Sequence, residues 1–337
     1  MIVAKAPLRV SLAGGGTDLP SYSGLRTGLV ISLAIDRWVC VAAHPGVSDG
    51  TARIGFADLE DPGNAESATD ADLLQNPFAR AVLSRSGAGG GVRIGTFSDV
   101  PSGSGLGGSG AFTVAMLHAV RRMDGIGGDD PVSLAEDASA VEMIDLRRPV
   151  GKHDHYMAAF GGLRALAFEP EGRVRQTPLP ITDRLRSYVA DRLLLFSTGV
   201  SRDAGRMLAA QDRLTRARGP GVLRRLDSIR ALADTLLDEL REDRVESIGH
   251  VLAEHWLAKS RLSETVSLPR IDELHRLALD SGAEAGKLLG AGGGGFLLFS
   301  CRQGEQERLR KAMSAAGSRE LEFSIADTGT TAVEFPL

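Results

Sequence analysis

The residues best suited to chemistry lie in one thirteen-residue stretch, Asp99-Val-Pro-Ser-Gly-Ser-Gly-Leu-Gly-Gly-Ser-Gly-Ala111. Five glycines, three serines and one proline there cannot fill a core, and no lysine is present. Such a loop offers bare backbone N–H groups. A strand predicted over 92–97 runs into it and a helix predicted over 109–122 leaves it, so the positive end of a helix dipole adds to those donors. Together they make an anion site, most simply a phosphate site. Gly103-x-Gly105-x-x-Gly108 matches the dinucleotide fingerprint, but there the first glycine sits at the strand end, and here Ser98 to Ser102 intervene. No strand ending in an acid lies about 20 residues on; Asp124 is in a glycine-rich turn. The Gly-Lys-Ser/Thr of a Walker A loop is absent. A plain flexible loop is the alternative. Against it stands the helix that begins at Ser109, whose hydroxyl either caps that helix or reaches a cation.

Two carboxylates stand out beside this loop. Pro131 and the Ser133-Leu-Ala-Glu136 pattern predict a capped helix start. Along that helix Leu134, Ala138, Val141, Glu142 and Asp145 share one face. Glu142 thus points with apolar residues, where an unpaired carboxylate is costly. Asp154 sits in Gly151-Lys-His-Asp-His-Tyr156, which opens a short segment closed by Gly161-Gly162. His153-x-His155 is a poor metal pair, because no third ligand accompanies its i, i+2 spacing.

The elements that must position these groups follow from periodicity and punctuation. Residues 2–13 read as a strand that breaks at Gly14-Gly-Gly-Thr-Asp-Leu-Pro20, and 29–43 form a second β-rich block. Residues 45–76 read as a hairpin plus a surface excursion, followed by a short helix from Phe78 to Leu83. Beyond about residue 170 the texture changes to arginine-rich amphipathic helices over 221–242, 244–262 and 270–281. A second glycine cluster, Lys287-Leu-Leu-Gly-Ala-Gly-Gly-Gly-Gly-Phe296, leads to a strand over 296–301. A helix over 304–316 and a final strand over 320–325 close the chain. Strands and helices mix without βαβ alternation, which favours α+β over a doubly wound sheet.

At 337 residues the chain is long enough for two domains, and 43% hydrophobic with 24% charged residues is a globular composition. The net charge of −4 and pI near 6.0 argue against nucleic acid as a partner. No run approaches the length of a membrane helix, and Lys5, Pro7 and Arg9 interrupt what a signal peptide keeps apolar. Cys40 and Cys301 lie in apolar runs and read as buried thiols, so the expected location is the cytoplasm.

The Pro101–Ala111 stretch resembles the second motif of the GHMP kinases (galactokinase, homoserine, mevalonate and phosphomevalonate kinases). Ala6-Pro-Leu-Arg-Val-Ser-Leu-Ala-Gly-Gly-Gly-Thr-Asp18 resembles the first motif, and Lys287–Phe296 the third. Within that family, residues 13–20, 151–162 and 287–296 are most similar to the D-glycero-D-manno-heptose 7-phosphate kinase branch. Trp256-x-x-Lys259 and Ser267-x-Pro269-x-Ile271-Asp272 add to the likeness. The resemblance implies an α+β fold of two domains with the active site between them. Residues 1–170 would be ribosomal-S5-domain-2-like, and residues 171–337 ferredoxin-like with extra helices.

It also implies roles. Pro101, Ser102, Gly103, Ser104, Gly105, Leu106, Gly107, Gly108 and Ser109 would bind ATP, and Ser109 with Glu142 would hold Mg2+; their alternatives are a helix cap and a buried ion pair. Asp154 would accept the proton of the attacking hydroxyl, unless it is only a helix cap, with Arg9 beside it unless Arg9 is a surface charge. Gly15, Gly16, Thr17, Asp18, Lys152, Gly292 and Gly293 fall on the substrate side. Arg202 and Arg206 either reach a substrate phosphate or lie on a solvated helix face. Gly108 and Gly110 replace a commoner Ser and Ala, which implies a more flexible loop.

The resemblance thus implies an ATP- and Mg2+-dependent sugar 1-kinase, monomer or homodimer, with heptose 7-phosphate as the favoured substrate. An octose 8-phosphate or a fucose-like free sugar is the alternative within the class. A non-catalytic sugar sensor on the same fold is the rival from another class, opposed by the retention of Ser109, Glu142 and Asp154. A dinucleotide-dependent oxidoreductase is a distant third.

Overall fold

The computed structural model describes residues 1–45, 52–57, 65–68, 75–86, 91–125, 130–200, 204–217, 221–262 and 266–336. In chain order these form β1 (Ile2–Ala13), α1 (Pro20–Ser23), β2 (Gly28–Pro45), β3 (Ala52–Ala57), β4 (Ala65–Ala68) and α2 (Pro77–Ser86). Then come β5 (Val92–Ser98), α3 (Gly108–Met123), α4 (Pro131–Ala140), α5 (His153–Phe160), β6 (Leu163–Phe168) and β7 (Val174–Pro178). The second half holds α6 (Asp183–Arg192), β8 (Leu193–Ser197), α7 (Ala204–Arg216), α8 (Val222–Arg241), α9 (Ser247–Ser260) and α10 (Pro269–Asp280). β9 (Ala283–Leu288), β10 (Phe296–Cys301), α11 (Gln306–Ala315) and β11 (Thr331–Glu334) complete it.

Among the described residues the strands make two sheets. The larger has the order β11-β1-β2-β5-β3-β4, with β6 and β7 added at the first half of β2. The 18-residue β2 is shared: its first half pairs with β6, its second with β5, and its middle, Ile31 to Ala43, with β1. From Ala6 to Ala13 every β1 side chain is buried, as a strand covered on both faces requires. Helices α3, α5 and α9 pack on it. The smaller sheet, β8-β10-β9, is antiparallel and carries its own core of Phe196, Phe299, Trp256 and Met313.

The α+β expectation holds. The turn near residue 170 lies inside the β6–β7 hairpin of the larger sheet, and β11 from the far end of the chain pairs with β1. Residues 320–325 are not the final strand. They divide their hydrogen bonds between the sheets: Leu321 N–H donates to Leu195 at 2.8 Å, while Ser324 accepts from Asp36 N–H at 3.0 Å. β6, β7, β8, β9 and β11 answer to no strand expected from the sequence. Cys40 is half-buried rather than buried, and Cys301 is buried; both are free thiols.

Helix α4 starts three residues earlier than the Ser133 pattern implies. Asp130 caps it by accepting from Ser133 N–H at 2.9 Å, and Pro131 takes the first helical position, where its missing N–H costs nothing. After Ala140 one π-helical turn follows, with Leu146 N–H donating to Val141 at 2.9 Å. The extra residue breaks the helical phase. Glu142 is buried, but Asp145, predicted on the same face, is exposed and paired with Arg85 at 2.8 Å.

The C-terminal segment clamps the end of α5. Gly161 ends that helix with φ at 66°, and Thr330 N–H donates to Ala158 at 2.8 Å. A Cβ on Gly329 would collide with the Ala159 carbonyl. Gly329→Ala is expected to lower stability by about 1–3 kcal/mol, read as a shifted urea midpoint; an unchanged midpoint would show that the clamp is loose.

Candidate active site

A cleft of about 750 Å³ opens between the two sheets. Its floor comes from β1 (Arg9, Ser11), and one wall from the glycine loop and the start of α3. The start of α5 and the Gly15–Asp18 turn line it as well, and Leu208, Gln211, Lys259 and Gly290 close it from the second half of the chain.

At its centre Arg9 grips Asp154. Arg9 Nε and Nη2 both donate to Asp154 Oδ1, at 2.8 and 2.6 Å, and Nη1 donates to the Gly105 carbonyl at 2.6 Å. The Arg9 backbone N–H adds a bond to the Leu106 carbonyl at 3.0 Å. One guanidinium therefore fixes the carboxylate and the glycine loop relative to each other. Arg9 is buried, so it is no surface charge. Asp154 lies in the first turn of α5 but caps nothing. Burial is the largest single influence and pushes its carboxyl up, yet the Arg9 charge and hydrogen bonds, with smaller contributions from its neighbours, together hold it below the usual carboxylate range.

The loop curls because Gly103, Gly105 and Gly107 all take positive φ, between 76° and 82°. Gly107 precedes α3 with no side-chain cap, so Ser109 does not cap its helix, and the first N–H groups of α3 remain for an anion. Gly110 has a different purpose from the flexibility expected of it. A Cβ there would stand 2.7 Å from Asp154 Cβ, so glycine lets α3 approach α5 closely; at Gly108 a Cβ would meet nothing. The third glycine motif serves the same loop, since Gly295 lies so close to the Ser104 carbonyl that no side chain fits.

Asp18 is seated from two sides. Gly16 N–H donates to its Oδ1 at 3.2 Å, and its Oδ2 presses on Gly151, where a Cβ would collide. Burial, with the nearby Asp154 charge, raises its carboxyl to about 6. Glu142 faces the cleft with Arg148 Nη1 at 2.5 Å from Oε2 and His155 Nε2 at 3.1 Å from Oε1. The buried ion pair is therefore real. Each oxygen keeps a second lone pair, and with the Ser109 hydroxyl this is a hard oxygen donor set that fits Mg2+.

The cleft thus collects Arg9, Gly15, Gly16, Asp18, Pro101 to Gly105, Gly107, Gly108, Ser109, Glu142 and Asp154. Five expected residues are not on its lining. Lys152 is turned away, its ammonium held by Glu136 at 2.7 Å and the Gly172 carbonyl at 2.8 Å. Thr17 is buried and pins its own turn, donating to the Gly14 carbonyl at 2.8 Å. Leu106 is fully buried and contributes only its carbonyl. Gly292 and Gly293 pack on Val266, whose carbonyl accepts from Gly293 N–H at 2.8 Å. Arg202 and the Arg206 side chain lie outside the described residues.

Sequence reasoning passed over the apolar end of the cleft, Val39, Phe78, Phe97 and Phe112, and the cations Arg148 and Lys259. Phe97 carried a signal. Val92, Ile94 and Thr96 alternate inward on β5, which puts this phenyl ring on the outward face, 59% exposed.

Residues 73–162 match the sequence profile of the GHMP kinases N terminal domain and residues 236–319 that of the GHMP kinases C terminal domain, together just over half the chain. A D-glycero-alpha-D-manno-heptose 7-phosphate kinase from Campylobacter jejuni is 28% identical over 97% of both chains. Among solved structures, a D-glycero-D-manno-heptose 1-phosphate kinase from Bacteroides thetaiotaomicron superposes with a TM-score of 0.79 at 22% identity, over all of both chains. Lactococcus lactis galactokinase, complexed with galactose, does so with 0.76 at 15% identity, over 98% of this chain and 95% of that one. Among the described residues no helix is long and apolar enough to cross a membrane.

Two measurements check this geometry. Gly108→Ala is expected to leave the melting temperature unchanged or slightly raised, whereas Gly110→Ala costs about 1–3 kcal/mol by forcing α3 from α5; equal effects would refute the close-approach reading. For Asp18 the folded carboxyl titrates near 6 and the unfolded one at the ordinary 3.8. Its protonated form therefore favours folding below pH 4, and that advantage is lost as pH rises through about 6. Asp18→Asn should be more stable than the parent at pH 8, on the order of 2–3 kcal/mol, with the gap closing by pH 4. A gap independent of pH would remove the shift.

Proposed function

The chain belongs to the GHMP kinase family, and from that premise we propose a sugar-phosphate 1-kinase. ATP is the donor, and D-glycero-D-manno-heptose 7-phosphate, attacked through its anomeric C-1 hydroxyl in the cytoplasm, is the acceptor. The observation that carries this reading is the Arg9–Asp154 pair tied to the glycine loop, a base and a phosphate cradle held by one guanidinium. The heptose is favoured by the Campylobacter relative, which matches end to end.

The loop N–H groups and the start of α3 cradle the donor phosphates. Asp154 Oδ1 is occupied by Arg9, so Oδ2 takes the proton of the attacking hydroxyl as its oxygen bonds to the γ-phosphorus and the bond to the ADP oxygen breaks. A carboxylate of depressed pKa is a weak base, which suits a loose transition state in which the proton leaves late. Arg9 offsets the charge that gathers on the transferred group. Ser109 and Glu142 would hold Mg2+, which neutralises phosphate charge when bound. Arg148 and His155 hold Glu142 in place from either side. Asp18 accepts hydrogen bonds from sugar hydroxyls. Residues 1–170 supply loop, metal ligands and base; residues 171–337 supply the lid of the cleft.

Asp154→Asn is expected to cost about 10²–10⁴ in kcat while binding of a fluorescent ATP analogue is unchanged; near-normal turnover would remove Asp154 from the base role. Ser109→Ala and Glu142→Gln should both raise the Mg2+ concentration for half-maximal rate, and an unmoved titration curve refutes the ligand assignment. A panel of hexoses, heptose 7-phosphate and octose 8-phosphate, with products read by phosphorus NMR, decides the acceptor. Absence of turnover on every sugar would refute the kinase reading.

A further inference from the structure

His153 has no part in the mechanism above, although it precedes the proposed base and lines the same cleft. Its ring is buried, with the side chain 5% exposed. The Nδ1 atom lies 3.3 Å from Asp154 Oδ1, while Nε2 is buried and has no hydrogen-bond partner. Burial pushes the ring down to about 3, with the Arg9 charge acting in the same direction, so the imidazole is neutral. A neutral imidazole carries one proton, and a carboxylate oxygen beside Nδ1 draws it there. Nε2 is then a bare lone pair, a buried acceptor in want of a donor, on a ring that lines the cleft. A buried acceptor left unmatched is destabilising, a cost that a partner supplied by the substrate would remove.

We propose that His153 Nε2 accepts a hydrogen bond from the sugar hydroxyl on the carbon next to the attacked one, and so reads the configuration at that carbon. This rests on the sugar-kinase reading. Under it, Asp154 and His153 form one acceptor pair: Oδ2 takes the attacking hydroxyl, and Nε2 takes its vicinal neighbour. Nδ1 lies beside the oxygen that Arg9 holds, so the ring and the base share one anchor. The two acceptors cannot be oriented separately. The substrate class that fits is a pyranose with free hydroxyls at C-1 and C-2, and an analogue without the second leaves Nε2 unsatisfied.

The test compares the best sugar of the panel with its 2-deoxy counterpart, in the parent enzyme and in His153→Gln and His153→Phe. The parent is expected to lose roughly tenfold or more in kcat/KM on the 2-deoxy sugar, mostly through KM. His153→Phe should lose a similar factor on the full sugar and show no further loss on the deoxy analogue. His153→Gln, whose amide oxygen still accepts, should recover part of the discrimination. Melting temperatures accompany each variant, so that a folding loss, which lowers both rates equally, is recognised. Undiminished discrimination in His153→Phe, or equal losses on both sugars in both variants, overturns the proposal while leaving the kinase intact. A parent enzyme inactive on every sugar overturns the kinase reading, and this proposal with it.

Discussion

One ion pair organises the cleft. Arg9 and Asp154 are 145 residues apart in sequence, and Arg9 is buried where an unpaired charge is costly, while Asp154 is half-buried beside it. Each becomes acceptable through the other and, for Arg9, through the Gly105 carbonyl that accepts from its Nη1. The pair therefore constrains β1, the start of α5 and the glycine loop at once. The tight approach of α3 to α5 at Gly110, and the clamp of the C-terminal segment on the end of α5, both serve to hold that carboxylate where Arg9 can reach it.

The same pair sets its neighbours' charges. Asp154 is held below the usual carboxylate range, against burial, by the charge and hydrogen bonds of Arg9 together with its neighbours, and its charge then works against ionisation of Asp18, already disfavoured by burial. Arg9 also opposes a proton on His153, again in the direction of burial. Burial together with this ion pair thus yields a carboxylate, a carboxyl poised near 6 and a neutral imidazole within one cleft, which is the separation of protonation states that acid–base chemistry needs.

Much of this was legible in the sequence where the signal was local. Glycine spacing from Gly103 to Gly108 implied a phosphate loop, and the loop has that shape because three of those glycines take positive φ. The buried direction of Glu142 followed from helical phase; its separation from Asp145 did not, because a π-helical turn leaves no mark in a 3.6-residue period. Lys152 was placed on the substrate side because it adjoins Asp154, but neighbouring residues on a helix point apart, and Glu136 with the turn at Gly172 captures its ammonium. Residues 320–325 alternate as a strand does, yet sequence cannot say that their hydrogen bonds divide between two sheets. The cap of α4 went to Asp130 because Pro131 is better placed at the first helical position than ahead of the cap.

The third glycine motif shows why a chain spends so many glycines away from any reactive side chain. Gly294 is pressed on the Val200 carbonyl and Gly295 on that of Ser104, so the motif is a surface of bare backbone against which the phosphate loop rests. At its head Lys287 is buried, and its Nζ donates to the Leu12 carbonyl of β1 at 3.2 Å. Burial, with Lys259 and Arg9 nearby, pushes this ammonium well below its ordinary value. A lysine held there is a poor surface charge but a long, directional tether, and it joins β9 of the small sheet to the strand that carries Arg9. The small sheet thus reaches the reaction centre twice, through backbone contact with the loop and through Lys287 on β1. Glycines and lysine together make a cleft between two sheets as well defined as one cut into a single core.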